Sequence, residues 1–155
     1  METSELGEII TSLSTKDIIL VDGFNGSGKT YLAQELSKCL GVPTLDLDDY
    51  VIKTGGTDYY VDRLDLNKLY QDVSSNNSII VSGACILDVF SKLNIEFDSH
   101  VYVKRVSGGS NWHDGIDLED YLSQTFDPNR QVCAFKYHKL FEPHLVANVI
   151  YSRHE

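Results

Sequence analysis

Cations are scarce in this sequence. Its 155 residues hold 13 Lys and Arg against 23 Asp and Glu, a formal charge of −10. A nucleic-acid backbone or an anionic membrane recruits a net cationic surface, so neither is expected as the main partner. Long apolar runs are also lacking, and nothing approaches the ~20 residues of a membrane span. Residues 1–14 are acidic and have neither the apolar stretch of a signal peptide nor the basic character of a transit peptide, so the expectation is a soluble, cytoplasmic protein. Cysteine is limited to Cys39, Cys85 and Cys133. With their wide spacing and no CxxC pair, neither a zinc module nor a disulfide framework is expected. Each has apolar neighbours and reads as a small buried hydrophobe. No internal repeat, low-complexity tract or linker interrupts the chain, so residues 1–155 are expected to form a single domain.

Hydrophobic patterning is regular. Leu6, Ile9, Ile10 and Leu13 recur at helical spacing. Residues 17–22 then form a short β-branched run, suited to a parallel strand buried on both faces. Leu32, Ala33, Leu36 and Leu40 make a second helical stripe, closed by Gly41 and Pro43. Further strands are predicted at residues 44–47, 78–81, 100–103 and 146–151. Helices are predicted around Leu66–Val73 and at residues 86–93, 118–126 and 130–141, the 118–126 helix being capped by Asp117. Residues 51–62 and 106–115 read as loops. Strands and helices alternate throughout, which predicts an α/β fold: a five-stranded parallel sheet with helices on both faces.

Between the first strand and the helix after it stands Gly23-Phe24-Asn25-Gly26-Ser27-Gly28-Lys29-Thr30, which fits G-x-x-x-x-G-K-[ST]. A triphosphate needs several N–H donors converging on its oxygens. A glycine-rich loop opening a helix supplies them, and the helix dipole adds positive potential. Gly23, Gly26 and Gly28 permit the backbone angles and the close approach. Lys29 brings an ammonium to the β and γ phosphates, and the Thr30 hydroxyl is placed to ligate Mg²⁺. Residues 23–30 with Tyr31 are therefore the candidate nucleotide site, with ATP and Mg²⁺ as cofactors. A guanine-reading Asn-Lys-x-Asp segment is absent.

Asp46, Asp48 and Asp49 follow at the carboxyl end of the second strand, where ligands of open α/β sheets bind. Strand alternation would put Asp46 and Asp48 on one side and Asp49 on the other. A carboxylate there can take a proton from a hydroxyl or orient Mg²⁺ through water. Tyr59 and Tyr60 are candidates to stack on a substrate, and Trp112 and His113 in the glycine-rich loop are candidates to cover one. Arg130 and Lys136 on the last helix are candidates to face the phosphates. The five histidines show no metal-ligand spacing.

These segments together resemble the uridine kinase and phosphoribulokinase group of P-loop kinases, collinearly over most of the chain. Val21 to Thr30 resembles that group's opening strand and P-loop. Leu47-Asp48-Asp49-Tyr50 resembles the segment carrying its catalytic aspartate, with Asp48 at that position. Val61-Asp62-Arg63-Leu64-Asp65 resembles its next Asp-containing segment, Ile79 to Gly83 its third strand, and Lys104-Arg105-Val106 the start of its lid. Residues 115–124 are similar to the lid's exit helix, and residues 137–150 to the approach to the last strand.

The resemblance implies phosphoryl transfer from ATP to a small hydroxyl compound, such as a nucleoside. Lys29, Asp48 and Arg105 would be catalytic, Thr30 and Asp48 would hold the metal, and Asp49, Tyr59 and Asp62 would meet the substrate. Two departures stand out. Ser82 occupies the third-strand position that is acidic in the group, and Ser107-Gly108-Gly109-Ser110 follows Arg105 where more lid arginines are expected. They keep open an alternative, a catalytically weak nucleotide-binding regulatory or partner protein.

Overall fold

The structure, a computed structural model, describes residues 1–13, 18–52, 59–109, 111–123 and 133–155. Seven strands form one sheet: β1 (Glu2–Thr3), β2 (Ile18–Gly23), β3 (Thr44–Asp46), β4 (Ile79–Ser82), β5 (Ser99–Ser107), β6 (Asn111–Trp112) and β7 (Val149–His154). Their order is β1-β7-β5-β2-β4-β3, with β6 added to β5. All neighbours on that path run parallel, and only the β5–β6 pair is antiparallel. The helices are α1 (Leu6–Ser12), α2 (Lys29–Leu40), α3 (Leu66–Ser74), α4 (Ile86–Leu93), α5 (Gly115–Ser123), α6 (Cys133–Phe141) and α7 (Pro143–Val146), with 3-10 turns at Leu47–Tyr50 and Tyr60–Arg63.

Strand alternation sorts the core into two layers. Leu20, Ile79 and Val81 face Ile86, Val89, Phe90 and Tyr137 on one side of the sheet. Ile19, Val21, Ile80 and Val101 face Ile9, Leu32 and Leu36 on the other. Strand β2 is buried on both faces, as its unbroken β-branched run requires. The result is helix, sheet, helix: the three-layer fold expected, with two more strands than the five expected.

Both extra strands are two residues long, too short to carry a readable period. Strand β1 is held by pairing with β7, Glu2 opposite Ile150 and Thr3 opposite Tyr151. Strand β6 turns residues 111–112 of the expected loop back on Val106 and Ser107. Lys104-Arg105-Val106, expected at the start of a lid, are strand residues. These residues continue β5, opposite Ser152, Arg153 and His154 of β7. Residues 143–146, partly assigned to the last strand, instead form α7, opened by Pro143 at a position where proline's missing N–H costs nothing. Helix α5 starts at Gly115, so Asp117 falls in its first turn instead of capping it. Gly55, Gly56, Ser110 and Arg130 lie outside the described residues, as do the end assigned to the 118–126 helix and the start assigned to the 130–141 helix. Cys39 is exposed and Cys133 half-buried, so only Cys85 behaves as the buried hydrophobe expected of all three. No described helix is long and apolar enough to cross a membrane.

Candidate active site

The P-loop closes onto α2 through Gly28, whose φ of 101° lies in the left-handed region. A Cβ there would also sit 2.7 Å from Arg153 Nη1, the end of a flexible side chain that can move aside, so it is the conformation that requires glycine. Helix α2 begins at Lys29, and its first N–H groups lack helical acceptors, as at any helix start. Lys29 Nζ donates to Phe24 O across the loop at 2.8 Å. Burial lowers the pKa of this ammonium, while Asp22, Asp48 and Asp46 pull it back up.

A cavity of about 640 Å³ opens beside the loop. Gly23, Asn25, Gly26, Gly28, Lys29 and Thr30 form one wall, Asp46 and Asp48 another, and Tyr60 with Arg63 a third. Gly83 to Cys85, just before α4, and Cys133, Ala134, Tyr137 and His138 of α6 complete it. Six of the nine predicted nucleotide-site residues thus line one space. The other three do not. Phe24 is buried with its ring stacked on His138 at 4.0 Å, Ser27 turns inward toward Gly23, and Tyr31 is exposed.

The carboxylates are ordered by local bonds. Strand β3 ends at Asp46, so strand alternation does not extend to Asp48 and Asp49. Instead Asp46 caps the 3-10 turn, its Oδ1 accepting from Asp48 N at 2.9 Å. Its Oδ2 accepts from Thr30 Oγ1 at 3.2 Å, linking the carboxylate wall to the P-loop. Leu47 is buried between Asp46 and Asp48, while Asp49 is exposed and outside the cavity lining. Asp48 Oδ1 accepts from Tyr60 Oη at 2.6 Å, and burial raises the pKa of that phenol.

Tyr59 and Asp62, predicted at the substrate, lie outside the cavity lining. Tyr59 donates instead to Asp88 at 2.7 Å, and Asp62 is exposed. Their neighbours Tyr60 and Arg63 take the wall. Arg105 lies outside it as well. As a β5 residue it pairs in register with Arg153, and its guanidinium is bound to the Glu155 carboxylate. Trp112 is half-buried, against Tyr102 and His144 and near Phe24, with Lys104 Nζ 4.8 Å from its ring centre. It packs within the fold and is not poised as an exposed cover.

Sequence reasoning missed the network beneath the loop. Asp22 is fully buried; its Oδ1 accepts from Gly23 N at 2.7 Å, and its Oδ2 meets Tyr137 Oη at 2.5 Å and His100 Nε2 at 2.9 Å. Tyr137 Oη also accepts from Leu87 N at 3.1 Å, joining α4, α6 and the P-loop. His138 Nδ1 reaches Ala134 O at 2.6 Å and its Nε2 reaches Tyr102 Oη at 2.6 Å. A carbonyl only accepts, so Nδ1 carries the proton, and burial pushes the imidazole down to about 4. The signal available was Asp22 itself, a charged residue inside a strand otherwise apolar.

No protein-family model matches the sequence. Solved structures do. The chain is similar to a possible uridine kinase from Bacillus stearothermophilus, at 16% identity and a TM-score of 0.60, over 94% of this chain and 96% of that one. It is similar to shikimate kinase from Aquifex aeolicus at 15% identity and a TM-score of 0.51, over 87% and 85%. It is also similar to a gluconokinase from Sinorhizobium meliloti at 17% identity and a TM-score of 0.50, over 92% and 84%. At such identities the likeness defines the fold, that of the P-loop kinases over nearly the full chain.

Proposed function

We propose that the protein is a small-molecule kinase that transfers the γ-phosphoryl group of ATP to a hydroxyl group. The observation that carries this reading is the Thr30–Asp46 contact, which sets the carboxylate pair Asp46 and Asp48 directly across one cavity from the P-loop. The similar structures support it: they are named as a possible uridine kinase, a shikimate kinase and a gluconokinase, and uridine, shikimate and gluconate are all small hydroxyl compounds.

The residues fit Mg·ATP by their chemistry. Lys29 lines the cavity, and with the opening amides of α2 it suits the phosphates. Among the described residues no cluster of three or more His, Cys, Asp and Glu forms a metal cage. Mg²⁺ in such sites is held by one or two carboxylates, a hydroxyl and the phosphates themselves, which matches Asp46, Asp48 and Thr30. Mg·ATP would supply the electrophilic phosphorus and part of the charge neutralisation.

Asp48 is assigned as the proton acceptor. As the acceptor hydroxyl oxygen bonds to the γ-phosphorus, its proton passes to the Asp48 carboxylate and the bond to the bridging oxygen breaks, releasing ADP. Tyr60, donating to Asp48, holds the carboxylate in place. Lys29 offsets charge on the transferring group.

One contact favours a second reading, a nucleotide-binding regulatory protein with little turnover. Arg105 is committed to Glu155, and Ser82 is neutral where the resembling group is acidic. ADP formation from Mg·ATP, measured against pooled nucleosides and other hydroxyl compounds, separates the two. Lys29→Ala is expected to lose nucleotide binding. Asp48→Asn is expected to keep binding and lose at least a hundredfold in transfer. ATP binding with no ADP from any pool selects the regulatory reading, and full activity in Asp48→Asn removes Asp48 as the base.

A further inference from the structure

Arg63 is a cation in the cavity wall that no described residue neutralises. Its Nε is buried and makes no hydrogen bond. Among the described residues no carboxylate pairs with its guanidinium, which lies over the Tyr60 ring with Cζ 5.9 Å from the ring centre. A buried guanidinium nitrogen without an acceptor is costly, and a planar fork of donors fits a carboxylate or a phosphate. Arg63 in the cavity wall therefore suits an anionic group.

The position of Arg63 indicates whose anion it is. Tyr60 stands between Arg63 and Asp48, with its hydroxyl on the carboxylate and its ring toward the guanidinium. Arg63 is thus one aromatic ring beyond the residue assigned to the acceptor hydroxyl. The nucleotide wall has its own cation in Lys29, which is tied to the loop through Phe24 O. Tyr60 and Arg63 are three residues apart on one 3-10 turn, so their side chains project on the same side. The turn is anchored by the core residues Val61 and Leu64 and by Ile52 N donating to Arg63 O at 2.7 Å.

We infer that the phosphate acceptor is an anionic hydroxyl compound, and that Arg63 binds its carboxylate or phosphate group while the hydroxyl faces Asp48. This rests on the kinase reading and narrows it: a neutral nucleoside would leave Arg63 unpaired, whereas a hydroxy acid or a sugar phosphate would fill it. Two sources share that chemistry, and matched probes distinguish them. Uridine and uridine monophosphate differ by the phosphate alone. Sorbitol and gluconate differ by the carboxylate.

The test is calorimetric titration of the four probes into the wild type, Arg63→Gln and Arg63→Lys, with and without saturating Mg·ADP. Circular dichroism and the melting temperature check that each variant is folded. At least one anionic probe is expected to bind ten- to hundredfold more tightly than its neutral partner, as one or two charge-assisted hydrogen bonds allow. Arg63→Gln should erase that difference and leave ADP affinity within about twofold. Arg63→Lys should keep part of it, since the charge remains and the fork is lost.

Equal binding of both members in each pair overturns the inference, as does failure of both anions to bind. A loss of ADP affinity in Arg63→Gln with the anion unaffected also overturns it, by giving Arg63 to the nucleotide. The kinase reading fails by a different result. If the wild type binds no nucleotide, the kinase reading fails whatever the probe pairs show; if Lys29→Ala binds it as well as the wild type does, the P-loop is not what holds it.

Discussion

Asp22 stands at the last strand position before the P-loop, and it has three donors to satisfy. Gly23 N, Tyr137 Oη and His100 Nε2 all converge on its carboxylate, which is fully buried. Asp22→Ala orphans all three at once, and removing one member of a buried polar set is expected to cost about 3–5 kcal/mol. Asp22→Asn keeps an acceptor for Gly23 and should cost less. Urea midpoints for the two variants test this order, and midpoints equal to that of the wild type would exclude a structural carboxylate. His138 gives a pH signature. The unfolded side chain titrates near 6.5 and the buried one at about 4, so between those values only the unfolded chain binds the proton. Stability from this residue is full above pH 6.5, falls as pH drops toward 4, and changes no further below that. The loss is on the order of 3 kcal/mol. Unfolding free energies of the wild type and His138→Gln should converge as pH falls through this window. Parallel curves would show that His138 does not titrate as its burial requires.

At the scale of elements, the carboxylate turn depends on a close approach of two segments. Gly83, which follows β4, leaves no room for a side chain: a Cβ would lie 2.6 Å from the Cβ, Cγ and Cδ1 atoms of Leu47. Leu47 is fully buried between Asp46 and Asp48, so moving it moves both carboxylates. Gly83→Ala is expected to cost about 1–3 kcal/mol by overpacking. It should also lower phosphoryl transfer tenfold or more while nucleotide affinity stays within a few-fold, because the P-loop is not displaced. Unchanged turnover would mean that Asp48 tolerates the shift and does not set the rate. The second turn shows how far the sequence could be read. A 3-10 turn has three residues per turn, so 59 and 62, 60 and 63, and 61 and 64 form three rows. Val61 and Leu64 face the core, and Tyr60 and Arg63 take the cavity. Tyr59 and Asp62 have the right spacing but the wrong phase, and the apolar pair Val61 and Leu64 was the signal that fixes it. The extent of β5 was not legible, because Lys104 to Val106 are strand only through β7 and β6, which are distant or too short to announce themselves.

Across the whole molecule, the alternation of apolar runs was enough for the layers, and the P-loop was legible because its chemistry is local. What joins loop to layers was not, since it depends on side chains brought together from far apart. Asp22 ties the loop to α6 through Tyr137, Arg153 of β7 donates to Ser27 O at 3.2 Å, and Phe24 stacks on His138. The loop is therefore fastened to the sheet and to the helix layer that carries α6, and a ligand bound there should stabilise the global fold. At a hundredfold excess over Kd, binding to the native state alone adds about 2.7 kcal/mol. For a domain of this size that is a rise in melting temperature of roughly 5–10 °C. The chain already carries a charge of −10, and Asp46 and Asp48 face the cavity. Uncomplexed ATP would add more negative charge there, so the rise should depend on Mg²⁺. Thermal melts with Mg·ATP, ATP plus chelator, and Mg²⁺ alone should give a large shift only in the first, and Lys29→Ala should give none. A wild type unmoved by millimolar Mg·ATP would reject the loop as a nucleotide site. An equal shift with and without Mg²⁺ would retain the loop and remove Thr30, Asp46 and Asp48 as the metal's holders.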